Sequence, residues 1–412
     1  MKKALIITII LLLAGMTASA METPVDMSFY TEEINRTDAT IFDLLDVLEA
    51  VRNEGQIGIG DFYHGALKTM FNKLPNFNTN HERQAVQDSS RIILRGLAAE
   101  KHTEAGPQVW ALINEFDVVQ DYNDGLLMTE ALITLGEIDA QDYVPHIILR
   151  LENFNADQTA DQQMRRKIQM GVTGCISALE ALKDPAGVKP VFYASIGWYD
   201  PGIRAVAAAA LLNIMEDPGI TIGEIILDHF NNPDVKMAAW NVMLRTKASD
   251  ESKAKVAAKA VEASYTYITP TVEEQRVLRD LRISAFDTIR RTGLVADDSV
   301  YPYLERSYRE SLNTPYPDTE MMKLVVSTLS AIGDEESVAL LTQFLRELHS
   351  RRRSGPWGDT EREMMQIIIP AIAVTGTKYR LAIQLLSTIQ RSSSYTGAEQ
   401  NWAGSALRVL TR

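Results

Sequence analysis

The stretch Asp200-Pro201-Gly202-Ile203-Arg204-Ala205-Val206-Ala207-Ala208-Ala209-Ala210-Leu211-Leu212-Asn213-Ile214 contains the parts of a helix start in order. Asp200 has a side chain able to cap free backbone N–H groups, and Pro201 suits the first helical position, where no N–H is needed. Ile203, Val206, Ala207, Ala210, Leu211 and Ile214 then return at spacings of three and four, forming one wide apolar face. The alanines on that face let a neighbouring helix approach closely. Such a helix is built to be packed on both sides.

Working outward, the same start recurs thirty-two residues later as Asn232-Pro233-Asp234-Val235-Lys236, followed by Ala238, Ala239 and Trp240. A start that returns at this distance is a repeat signal. A second device recurs as Leu135-Gly136-Glu137, Thr292-Gly293-Leu294, Ile332-Gly333-Asp334 and Thr375-Gly376-Thr377. Each glycine is expected just past a helix end, in the left-handed conformation that lets the chain reverse. From about residue 84 to the end, apolar residues keep the period of an amphipathic helix, and strand alternation is almost absent.

These features resemble the HEAT repeat family, including its short bacterial variety. The resemblance rests on the Asp-Pro-x-Ile-Arg start at 200–204 with its alanine-rich helix, and on the Ile-Gly-Asp turn at 332–334. It implies an all-α fold, a right-handed α-solenoid of about eight helical hairpins. These are placed near 84–117, 125–151, 163–197, 200–230, 233–263, 273–312, 319–350 and 361–391, with a capping helix near 399–411. Residues 38–75 read as a further hairpin at the N-terminal end. The family's members mostly serve as extended surfaces for other proteins, so the resemblance implies binding and no particular chemistry.

Three segments are expected: a signal peptide at 1–20, an N-terminal helical capping region at 21–83, and the repeat array at 84–412. Lys2 and Lys3 precede an apolar run, and Ala18-Ser19-Ala20 offers the small residues of a signal-peptidase site. The run is too short to span a bilayer comfortably, and no other segment is apolar enough, so no stable membrane insertion is expected after processing. The expected compartment is the periplasm, or the exterior of a cell with one membrane. The net charge of −13 leaves no protein-wide cationic field for a nucleic acid. Acidity is concentrated in front: residues 21–150 hold 22 of the 54 acidic side chains and 9 of the 41 basic ones.

Chemistry is sparse. The single cysteine, Cys175, sits among apolar residues at helical spacing and reads as a buried thiol. Six histidines are scattered without a second one three or four residues away, so no helix face presents a metal pair. Asp121-Tyr122-Asn123-Asp124-Gly125 lacks ligating residues at the first and twelfth places of a calcium loop. Ser252-Lys253-Ala254-Lys255, Arg291-Thr292-Gly293 and Ser311-Leu312-Asn313 are similar to the short motifs of penicillin-interacting serine enzymes, but stand in the wrong chain order and without a sheet. No cofactor, catalytic residue or metal ligand is assigned.

The connections between hairpins carry aromatics that the turns within hairpins lack: Trp198 and Tyr199, Tyr265 and Tyr267, Tyr316, and Trp357. One-sided insertions in a repeat array often form its binding face. The segment around Arg351, Arg352, Arg353 and Trp357 is expected to be an irregular loop, because Gly355 and Pro356 interrupt it. Arginine and tryptophan are also enriched where interfaces are anchored. The expected function is a non-enzymatic scaffold that binds another protein through these loops and the inner helices. Alternatives are recognition of an acidic cell-envelope glycan through the Arg/Trp segment, self-association, or an enzyme of unrecognised type.

Overall fold

The computed structural model describes residues 27–73, 79–116, 122–268, 270–295, 299–354 and 357–411, and every regular element among them is helical. The fold is all-α, as expected. The segment 1–20, Asp121, Gly355 and Pro356 lie outside the described residues. The chain divides into two compact units, Met1–Ile214 and Met215–Arg412, a boundary that falls inside the hairpin expected at 200–230.

The first unit contains α1 (Ser28–Ile34), α2 (Ile41–Glu54), α3 (Gly60–Lys73), α4 (Asn80–Glu100), α5 (Gly106–Glu115), α6 (Tyr122–Glu137), α7 (Val144–Ala156), α8 (Gln162–Leu182), α9 (Val188–Ile196) and α10 (Pro201–Ile214). Alternate helices pack together: α2, α4, α6, α8 and α10 touch in succession as one layer. On the other side α1 meets α3, α3 meets α5, and α7 meets α9. The α5 and α7 segments also meet through Trp110, whose ring centroid is 5.3 Å from that of His146.

The second unit contains α11 (Gly219–Leu227), α12 (Pro233–Arg245), α13 (Asp250–Thr266), α14 (Val272–Thr292), α15 (Val300–Leu312), α16 (Thr319–Ile332), α17 (Glu335–Ser354), α18 (Asp359–Val374), α19 (Arg380–Arg391) and α20 (Gly397–Leu410). The same alternation holds, with α12, α14, α16, α18 and α20 in one layer and α11, α13, α15, α17 and α19 in the other. Of the apolar face read at 203–214, Ala207, Ala210, Leu211 and Ile214 of α10 are buried while Val206 is exposed, and buried apolar side chains line the two layers of the second unit as well. Trp240 is fully buried there, and its Nε1–H donates to Ser284 Oγ at 2.8 Å.

Local chemistry explains where helices begin. Asn232 caps α12 by accepting the Val235 N–H at 3.0 Å, with Pro233 in the first turn. Thr40, Thr79, Thr271 and Thr396 form reciprocal capping boxes with Asp43, Glu82, Glu274 and Glu399. Asp200 differs from expectation. Its carboxylate lies 3.6 Å from Arg165, and among the described residues it accepts no helix N–H.

Reversals follow two schemes. In the second unit Gly293, Gly333 and Gly376 take φ of 65°, 72° and 66°, the left-handed conformation expected of them. Gly136 does not; it lies inside α6, where a Cβ would stand 2.9 Å from the Ala178 Cα. Its smallness serves close packing of α6 on α8. The left-handed position there belongs to Asp139 (φ 57°), and equivalent places are held by Lys101 (φ 50°) and Lys183 (φ 54°). Each is followed by one 3-10 turn, at Thr103–Ala105, Gln141–Tyr143 and Pro185–Gly187, before the next helix. Among the described residues no helix is long and apolar enough to cross a membrane.

Candidate binding site

Tyr265, Tyr267 and Tyr316 are brought to one place in the second unit. Tyr265 stands one residue before the end of α13, and the chain then crosses to Thr271, whose capping box with Glu274 starts α14. The Tyr267 hydroxyl donates to Glu274 at 3.0 Å and ties this crossing down. The next crossing, from α15 to α16, is folded by the Thr314 hydroxyl donating to the Tyr316 carbonyl at 2.7 Å and by the Asp318 N–H donating to Ser311 O at 3.1 Å. The Tyr316 ring is left 91% exposed.

Between these crossings lie two adjoining hollows of about 300 and 510 Å³, which share Tyr265, Arg279, Arg282 and Glu310 in their walls. The floor is aromatic. Tyr265 and Tyr303 stack with centroids 5.5 Å apart at an interplanar angle of 9°. The guanidiniums of Arg282 and Arg306 each lie 4.5 Å from the Tyr265 centroid, within the range of a cation–π contact. The Tyr265 hydroxyl is 2.5 Å from Ser307 Oγ, and burial pushes its pKa up, so it stays a neutral hydrogen-bonding group.

The walls carry Arg276, Arg279, Arg282 and Arg306 against only Glu310 and Asp318. Two of the arginines are neutralised: Arg306 Nε donates to Glu310 at 2.6 Å, and Arg279 Nη2 to Asp318 Oδ2 at 2.6 Å. Burial pushes the Asp318 carboxyl up, but Arg279 and the Met321 N–H outweigh it and hold the carboxyl below its ordinary value. Arg276 and Arg282 have no carboxylate partner among the described residues, and Arg282 Nε is buried without an acceptor. A local excess of positive charge thus lines an aromatic hollow in a chain of net charge −13. The arrangement presents donors to an anion and, at its rim, the exposed Tyr316 ring to an apolar or planar group.

The arginines were legible as a pattern, since 276, 279 and 282 recur every third residue and so share one side of a helix. Their meeting with Tyr265 was not, because it needs the neighbouring helix in place.

The remaining expected residues lie elsewhere and are largely occupied. Tyr199 is buried and donates to Asn155 Oδ1 at 2.9 Å; Trp198 is half-buried, with the Arg165 guanidinium 5.4 Å from its ring. Arg351, Arg352 and Arg353 form the last turn of α17 and not an irregular loop. Arg351 reaches Glu347 at 3.2 Å and Glu361 at 3.5 Å, and also bonds to Asn313. Arg352 donates to Ser394 O and covers the half-buried Trp357. Arg353 is exposed. Of the serine-enzyme fragments, Ser252 donates to Asp217 at 2.7 Å and Lys255 pairs with Glu251 at 2.8 Å.

No protein-family model matches this chain, and no curated protein matches it in sequence.

Proposed function

We propose that the chain is a non-enzymatic binding protein, exported to the periplasm, that holds an acidic segment of another protein in the hollow around Tyr265. The observation that carries this reading is the pair Arg276 and Arg282, cations without carboxylate partners set beside stacked tyrosines. Guanidinium forks match carboxylates in geometry, and exposed Tyr316 offers a ring at the rim for a partner to bury. The alternating layers in each unit support a right-handed α-solenoid of about eight HEAT-like hairpins, with the hollow lying where neighbouring hairpins meet.

A photo-reactive amino acid placed at Tyr316 in intact cells, with Val409 as the control position, tests the reading. The expected product is an adduct with one other protein, formed at Tyr316 and not at Val409. An adduct with glycan would favour the envelope-polymer reading, and an adduct with a second copy would favour self-association. Equal labelling from both positions would remove the hollow as the site.

A further inference from the structure

In the first unit, two histidines 38 residues apart in sequence face one another. His64 lies on α3, and His102 follows the left-handed Lys101 that ends α4. Their facing nitrogens, His64 Nδ1 and His102 Nε2, are 3.3 Å apart. Glu104, on the 3-10 turn Thr103–Ala105, joins them: one ligand atom from each of the three residues lies within 4.8 Å of the others. The Asp61 carboxylate stands 3.7 Å from the same His102 nitrogen and is fully exposed. We propose that His64, His102 and Glu104 bind a divalent transition-metal ion, Zn²⁺ by preference, with Asp61 or water completing the shell.

Four features of the geometry support this. First, two nitrogens bound tetrahedrally at about 2.0–2.1 Å from one zinc ion are about 3.3–3.4 Å apart, so the observed spacing matches that of two ligating nitrogens and leaves only a modest turn of the rings to aim both lone pairs at one ion. Second, His64 is already oriented as a ligand. Its Nε2–H donates to Gln108 Oε1 at 2.8 Å, which fixes the tautomer and leaves the Nδ1 lone pair pointing at His102. In the metal-free protein that lone pair accepts the His102 Nε2–H; ligation through Nε2 requires the other tautomer of His102, with its hydrogen on Nδ1.

Third, the rings are held while the carboxylates are free to adjust. His64 is 9% exposed and the His102 side chain 15%, whereas Glu104 is exposed and can close by rotation of its own side chain. Thr103 Oγ1 donates to Ile138 O at 2.7 Å and pins the turn that carries Glu104. Fourth, room has been kept for His102. A Cβ on Gly60 would stand 2.7 Å from His102 Nδ1, so only glycine there admits the ring in this position. Two imidazoles with carboxylate suit zinc and its neighbours in the first transition row better than Ca²⁺ or Mg²⁺, which take oxygen ligands.

The test uses the purified full chain, stripped with chelator and titrated with Zn²⁺ against a chromophoric competitor, and separately with Co²⁺. One saturable equivalent of Zn²⁺ is expected, unaffected by a large excess of Ca²⁺, together with a visible Co²⁺ absorption typical of four-coordination. His102→Ala should weaken binding at least tenfold. Glu104→Gln, at an exposed position that does not endanger folding, should weaken it several-fold, and Gly60→Ala should do so by displacing the His102 ring. His81→Ala, at an exposed histidine outside the cluster, should change nothing. Absence of a saturable equivalent, or an equivalent that survives both His102→Ala and Glu104→Gln unchanged, would overturn the proposal and leave an imidazole–imidazole hydrogen bond.

Discussion

The Arg352 guanidinium lies 4.5 Å from the centroid of Trp357, and the same side chain bonds to Ser394 O and reaches the fully buried Glu399 at 3.5 Å. These contacts clamp the end of α17 to the start of α20. Arg352→Ala leaves the Glu399 carboxylate in a dry site with less compensation, and breaking such a pair costs about 3 kcal/mol. Urea unfolding should show that loss. Arg353→Ala, at an exposed position, should leave the midpoint within error.

His349 supplies a pH dependence in the same region. Burial, aided by Arg353, lowers its pKa from the ordinary 6.5, and its Nδ1 lies 2.6 Å from the Tyr395 hydroxyl. The unfolded chain therefore binds the proton more readily than the folded one, so His349 contributes stability that is present above pH 6.5 and lost as pH falls through the folded-state pKa. Thermal melts from pH 7 to 5 should show a falling midpoint in the parent and a shallower fall in His349→Gln.

Two glycines in helices should respond oppositely to alanine. At Gly136 the new Cβ meets the Ala178 backbone at 2.9 Å, and overpacking of this kind costs about 1–3 kcal/mol. At Gly202 it meets nothing within 4 Å, so the gain in helix propensity is left uncompensated, about 0.5–1 kcal/mol in favour of the variant. Chemical denaturation of the two variants checks both signs.

The two similar helix starts should differ as well. Asn232→Ala removes an observed cap and should cost about 1 kcal/mol, whereas Asp200→Ala removes only a solvent-exposed contact with Arg165, worth about 0–1 kcal/mol. Equal losses in the two variants would show that Asp200 also serves as a cap.

The contrast between those starts shows how far sequence reaches. Spacing reveals an apolar face, and a proline or glycine announces a helix end, because those signals act within a few residues. Gly293, Gly333 and Gly376 reverse the chain as their type suggests, while Lys101, Asp139 and Lys183 do the same work without a compositional sign. The arginines of α17 looked like a loop because Gly355 and Pro356 follow them, and the partners of Arg352, Ser394 and Glu399, lie more than forty residues further on. His64 and His102 escaped for the same reason. A pair made by two different elements has no spacing rule, and the fold alone brings it together.

The most direct measurement of the central claim is the yield of the photo-adduct from Tyr316 in cells carrying Arg276→Glu, compared with the parent and with Arg353→Glu. The hollow around Tyr265 predicts one protein adduct in the parent, at least a tenfold loss in Arg276→Glu, and no loss in Arg353→Glu. An adduct that persists undiminished in Arg276→Glu, or one that disappears only in Arg353→Glu, would contradict it.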